Sequence, residues 1–203
     1  MAINYEVFEA AGALQYIDEE TRTWTTEGFE AAMAAIKTAI DNGTVTVATP
    51  GIVYCGAQGG DQGTRALVNN LYSDYYVTED GTSYNANSAN NVKALTLLQN
   101  MVNAGSLSAN ASYAAADELQ AFANQTCAVS FCWNFSNYSQ YADQTQFTPF
   151  AMAFPSDDGT PRAGDGRPHT ASVSSTTRTR LRSTPPRSSS TLSATMPPPV
   201  WRL

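Results

Sequence analysis

The chain has 203 residues, with 18 acidic and 11 basic side chains and a formal charge of −7. That charge is divided: residues 1–160 hold 17 acids and 4 bases, whereas residues 161–203 hold 1 acid and 7 bases. The acidic body argues against nucleic acid as its partner, and no run of apolar residues is long enough to span a membrane.

Ala2 to Ala11 reads as a strand entering a helix. Phe29, Ala32, Met33, Ile36 and Ile40 then recur at helical spacing and define one apolar face. Thr25 is the expected N-cap, and Glu27 sits in the first turn where the helix dipole favours an acid. Asp41-Asn42-Gly43 supplies the stop. Residues 44–48 alternate Thr with Val or Ala and predict a short strand, which Pro50 and Gly51 interrupt.

A glycine-rich loop, Gly56-Ala57-Gln58-Gly59-Gly60-Asp61-Gln62-Gly63, opens a helix with Leu67, Val68 and Leu71 on one face. Glu79-Asp80-Gly81 predicts a turn and 82–85 a strand. Ser88 caps a helix whose inward face is read as Val92, Leu95, Leu98 and Val102, ended by Gly105. Ala115, Leu119 and Phe122 mark another helix, and Asn124-Gln125 turns it into a strand over 127–133. A last strand is expected over 147–154. Four or five helices alternate with four strands, which makes the class α/β.

Residues 161–203 contain 8 Ser, 7 Thr, 7 Arg and 7 Pro and no Phe, Tyr, Ile or Lys. So few large apolar side chains do not offset the ordering entropy of the backbone, so disorder is expected there. The start, Met1-Ala2-Ile3-Asn4, lacks a charged and apolar leader, so no signal peptide is expected.

The odd count of 3 cysteines prevents full internal pairing. Cys127 and Cys132 fall on opposite faces of one predicted strand and should not bond each other, while Cys55 is free to pair with either. The single histidine, His169, lies in the tail, and no CxxC occurs. No zinc set, cofactor, Ser–His–Asp triad or other catalytic group is therefore expected in the body.

The glycine loop lacks the Lys-Ser/Thr of a P-loop and the spacing of a dinucleotide fingerprint. Gln58, Asp61 and Gln62 instead offer mixed donors and acceptors, which suit a hydroxyl-rich ligand. Trp133, followed by Asn134, reads either as a half-buried strand end or as an aromatic platform for a sugar ring, and Tyr54 reads in the same two ways. The acid pairs Glu19-Glu20, Glu79-Asp80 and Asp157-Asp158 lie in turn-like stretches and read as surface charge.

Several stretches resemble the extracellular solute-binding proteins of carbohydrate ABC transporters, the maltose-binding-like group. Asn4-Tyr5-Glu6-Val7-Phe8-Glu9-Ala10-Ala11-Gly12 is similar to that family's Tyr-Asn-Lys-Asp-Leu-Phe-Glu-Glu-Ala-Gly stretch. Thr23-Trp24 before Thr25-Thr26-Glu27-Gly28-Phe29 resembles its Thr-Trp helix start. Residues 122–129 resemble its Phe-x-x-Gly-x-x-Ala-Met turn, with Gln125 in place of a left-handed glycine. Phe154-Pro155 and Gly159-Thr160-Pro161 resemble its proline crossing.

The resemblance covers about 155 residues and implies the second lobe of a periplasmic-binding-protein type II fold, incomplete. By it, residues 1–145 form a partial lobe, 146–161 a crossing strand toward a missing lobe, and 162–203 a disordered tail, read as out-of-frame sequence. It implies capture of a mono- or oligosaccharide, or a glycerol phosphate, and its delivery to an ABC permease. Neither catalysis nor membrane insertion is implied, and the full-length family is extracellular or periplasmic. Tyr54, Gln58, Asp61, Gln62, Trp133 and Asn134 would face the ligand and Asn4 the hinge. The rival reading is a sugar-acting hydrolase fragment, which needs two facing carboxyls.

Overall fold

A three-stranded antiparallel sheet organises the body, and its middle strand is the first element of the chain. The computed structural model describes residues 1–56, 62–78 and 80–162. Strand β1 (Ala2–Asn4) lies between β4 (Val129–Ser130) and β5 (Pro149–Ala151). Ala2 opposes Ser130 on one side and Ala151 on the other, while Ile3 opposes Val129 and Phe150. A second, parallel pair joins β2 (Ile52–Tyr54) to β3 (Ser108–Asn110). The architecture is thus mixed α and β, with an antiparallel sheet at its centre.

Alternation along β1 sorts the interior into two apolar clusters. Ile3 joins Val7 and Phe8 of α1 (Tyr5–Ala10), Phe29, Met33 and Ile36 of α2 (Thr26–Asp41), and Leu67 and Leu71 of α3 (Gln62–Leu71). Ala2 points the other way, toward Phe122 of α5 (Ala115–Ala123), Cys127, Trp133 and Tyr141. Between these elements run α4 (Ala89–Asn103) and a short α6 (Phe135–Gln140).

Helix α2 forms as its sequence predicts. The Thr25 hydroxyl accepts from Gly28 N, Glu27 stands in the first turn, and Gly43 takes φ +70° just past the last residue. Leu67, Val68 and Leu71 of α3 are fully buried, in agreement with their spacing. Ser88 caps α4 by accepting from Asn91 N.

Four expected strands need correction. The predicted strand over 127–133 is a ladder only at 129–130, with an isolated bridge from Cys127 to Thr49. The one expected over 147–154 is a ladder only at 149–151. The reason is common to both: β1 offers three residues before it turns into α1, so neither neighbour finds a longer partner. Residues 44–48 stay extended, with Val45 and Val47 buried between exposed neighbours, but pair with no strand. Residues 82–85 contribute one bridge, Val77 to Tyr84, and no strand.

The inward face of α4 is also corrected. Val92 is 51% and Leu95 47% exposed, while Asn91, Ala94, Leu98 and Met101 are buried. The Asn91 amide donates to the carbonyls of Asn85 and Tyr75. Those bonds pull a polar residue inward and turn its apolar neighbours out.

The chain divides into units of Met1–Thr170 and Ala171–Leu203. Within the body, the stretch after β5 runs beside residues 22–26. Ala153 N donates to the Arg22 carbonyl (2.9 Å) and Thr26 N to the Ser156 carbonyl (2.9 Å). The Trp24 indole donates to the Ala153 carbonyl at 2.9 Å. The predicted tail from residue 163 on, with His169 and the expected disorder and out-of-frame origin, lies outside the described residues. Among those described, no helix is long and apolar enough to cross a membrane.

Candidate functional site

The residues singled out from the sequence fall into three places. Gln58 and Asp61 lie outside the described residues, as does Glu79. Tyr54 ends β2 with 2% of its surface exposed, and its hydroxyl accepts from Gly63 N at 3.2 Å. Thr64 locks the same junction, donating to the Tyr54 carbonyl (2.8 Å) and accepting from Tyr54 N (2.9 Å). A side chain at Gly63 would collide with the Tyr54 hydroxyl and come within 2.9 Å of Phe131 Cβ. This close approach explains why the glycine loop ends in glycine. Gln62 sits exposed at the start of α3.

Trp133 is 3% exposed. Phe122 and Tyr138 meet its ring edge-on, with centroids 5.1 and 5.7 Å away, and Tyr141 tilts against it at 5.5 Å. The structure therefore places the Trp133 and Tyr54 rings inside the fold, and neither presents an open face. The buried Trp133 indole N–H has no acceptor in hydrogen-bonding geometry, although the Tyr138 hydroxyl lies near it. Asn134 is exposed, but its side chain is occupied as the cap of α6, accepting from Ser136 N at 2.9 Å. Asn4 is fully buried at the β1–α1 junction. Its Oδ1 accepts from Val7 N (3.2 Å) and its Nδ2 is left without a partner.

Next to these residues the surface opens into a groove of about 430 Å³, lined by Arg22, Phe135, Tyr138, Thr148, Pro149, Phe150 and Ala151. Phe135, the first residue of α6, is 92% exposed. Phe150 projects from β5, and the Arg22 guanidinium lies over its ring, 4.7 Å from the centroid. Tyr5 packs against the same ring at 5.6 Å. Arg22 holds a left-handed backbone, φ 57°, which a residue with a Cβ adopts at a cost.

Polar groups of both signs border the aromatic walls. The Glu6 carboxylate accepts from Thr148 N (3.0 Å) and from the Thr148 hydroxyl (2.8 Å). Burial pushes Glu6 up, but the Thr148 bonds outweigh it and leave the carboxyl below its ordinary value. The Tyr138 phenol is pushed up by burial, with Arg22 and Trp133 opposing. Guanidinium donors, a phenol and two aromatic faces thus share one open concavity, and Glu6 holds Thr148 of its wall. Such a set can pack a ring and bond several hydroxyls.

Behind β4 lies a group that the sequence reading missed. Glu118 of α5 is fully buried; one oxygen accepts from the Ser130 hydroxyl (2.7 Å) and the other from Phe131 N (2.6 Å). Burial raises its carboxyl to about 7 against these hydrogen bonds. Burial also raises the thiols of Cys127 and Cys132, and the three cysteines are all free. Nothing local marks Glu118, since an acid in the first turn of a helix is ordinary. Phe135, Tyr138 and Phe150 carried an aromatic signal, but it is dispersed along the chain and only the fold collects it. Searched as a whole, the chain matches no family model and no curated protein.

Proposed function

We propose that the body is a sugar-binding lobe of a two-lobe solute-binding protein, which captures a mono- or oligosaccharide or a glycerol phosphate for an ABC permease. The observation that carries this reading is the open groove in which Phe135, Tyr138 and Phe150 stand beside Arg22, with Thr148 of its wall held by Glu6. Aromatic faces pack against the C–H face of a sugar ring, and the flanking charges bond its hydroxyls in both directions. The antiparallel neighbourhood of β1 and β5 also supports it, because two chain crossings side by side are what a hinge between lobes requires. Asn4 lies at that junction. Trp133 and Asn134 support the groove from behind, by packing and by capping α6, and do not stack the ligand themselves.

A single lobe offers half a cleft, so this chain alone binds weakly. Calorimetric titration with maltose-type oligosaccharides and glycerol phosphates is expected to give no micromolar affinity. At millimolar ligand, NMR shift changes should cluster at Phe135, Tyr138 and Phe150 and vanish in Phe135→Ala. Shifts that map elsewhere, or none at all, would sink the reading. The hydrolase alternative requires a second carboxyl able to reach a bound sugar; release of a chromogenic aglycone by this chain would favour it.

A further inference from the structure

A carboxyl wholly removed from water is stable in its charged form only if a cation or several donors compensate it. Glu118 has the Ser130 hydroxyl and Phe131 N as its close donors, with Cys132 N also directed at it, all at the end of β4 or just beyond it. The groups that face it can be named element by element. Tyr54 faces it from β2 and the Cys127 and Cys132 thiols from the segment around β4, and all three are held neutral, first of all by burial. The Met1 amino group faces it from the start of β1, and burial weakens that cation too.

We propose that Glu118 is a proton-operated latch, which holds segment 127–133 against α5 while it is neutral and loosens that segment when it ionises. In the neutral form, its carbonyl oxygen still accepts from Phe131 N, and its hydroxyl can donate to Ser130 Oγ, so every buried polar atom keeps a partner. In the ionised form the same contacts must hold a charge that no side-chain cation faces at close range. The loosened state exposes the carboxylate to water and relieves that cost. Burial raising the carboxyl to about 7 agrees with this arrangement.

The sign follows from linkage. The closed form binds the proton more tightly than an exposed carboxyl does, so closing is most favourable at low pH. Its advantage is lost as pH rises from the ordinary value of 4.5 to about 7, and is level above that. Across this window the open population rises by at most about 300-fold. That Phe135 and the groove respond to the latch rests on the sugar-binding reading; the latch itself does not.

Hydrogen exchange of the full chain, followed by mass spectrometry from pH 4.5 to 8.5 and corrected for intrinsic rates, tests the proposal. Peptides covering 127–133 should lose protection over the stated window in the wild type and keep it in Glu118→Gln, while peptides from α2 stay unchanged. Parallel profiles in the two proteins would overturn the latch. So would an equal loss in α2, which would report unfolding of the whole body. Should Glu118→Gln fail to fold, the carboxyl carbon of Glu118 in the wild type is titrated by NMR. A midpoint near neutrality supports the latch and one near 4.5 overturns it. Since no sugar is present in any arm, failure here leaves the binding proposal standing.

Discussion

At Gln125 the backbone takes φ 56°, in the left-handed region where a Cβ crowds the following carbonyl. The residue closes α5 into the run toward β4, with its N–H donating to the Phe122 carbonyl at 2.9 Å. Gln125→Gly removes that crowding and is expected to stabilise the body by about 1 kcal/mol, read as a rise in the urea midpoint with an unchanged slope. The position stood out only through the resemblance, in which a left-handed glycine occupies this helix-to-strand turn. Glu118 was not legible in the same way. It follows another acid, Asp117, in the first turn of α5, and what buries it is β4, which lies over α5 and is bonded to it through Ser130. Trp133 carries the opposite lesson. A tryptophan followed by Asn134 reads equally as wall or as platform, and three aromatic rings from elsewhere in the chain decide for the wall.

Among the elements, a helix with a hydroxyl cap and an unambiguous apolar period was read nearly to its ends, as α2 shows. Helix α4 was located correctly but rotated. Its period admits two faces about 100° apart, and the choice between them depends on Asn91 and its bonds to the loop at 75–85. Asn91→Ala should therefore destabilise the body by about 1–3 kcal/mol, the cost of leaving carbonyls unpaired. Val92→Ser and Leu95→Ser should each change stability by less than about 0.5 kcal/mol. Denaturant titration of the three variants compares the two faces directly, and the reverse order would restore the face read from periodicity. Strands were read too long wherever their apolar run outlasted the three residues of β1.

For the whole molecule, the stretch 147–156 contributes heavily to the interior of the body. Phe147 packs edge-on to Phe122 at 5.0 Å, Met152 is buried, and β5 completes the sheet beside β1. A closing clasp follows, in which Arg162 bonds Ser73 (2.6 Å) and Asp158 (2.9 Å). A chain ended after residue 146 is expected to lose cooperative unfolding. Its near-ultraviolet circular dichroism should collapse, because Trp24 loses the Ala153 carbonyl and Phe122 loses a ring contact. Retention of a sharp thermal transition would mean that the first 146 residues hold a core of their own.

What the sequence determined by itself is local. Helix starts and stops follow from capping chemistry and periodicity, and the class of mixed helix and strand follows from their succession. The split of the chain into an acidic, aromatic body and a basic Ser/Thr/Arg/Pro stretch is a matter of counting. The tertiary structure decided the rest: that β1 is the centre of its sheet, that Trp133 and Tyr54 are enclosed, that Phe135, Tyr138 and Phe150 meet beside Arg22, and that Glu118 is cut off from water. Each of these depends on separate elements packing against one another. A local pattern specifies which face of an element is apolar, but burial is conferred by the partner that covers it.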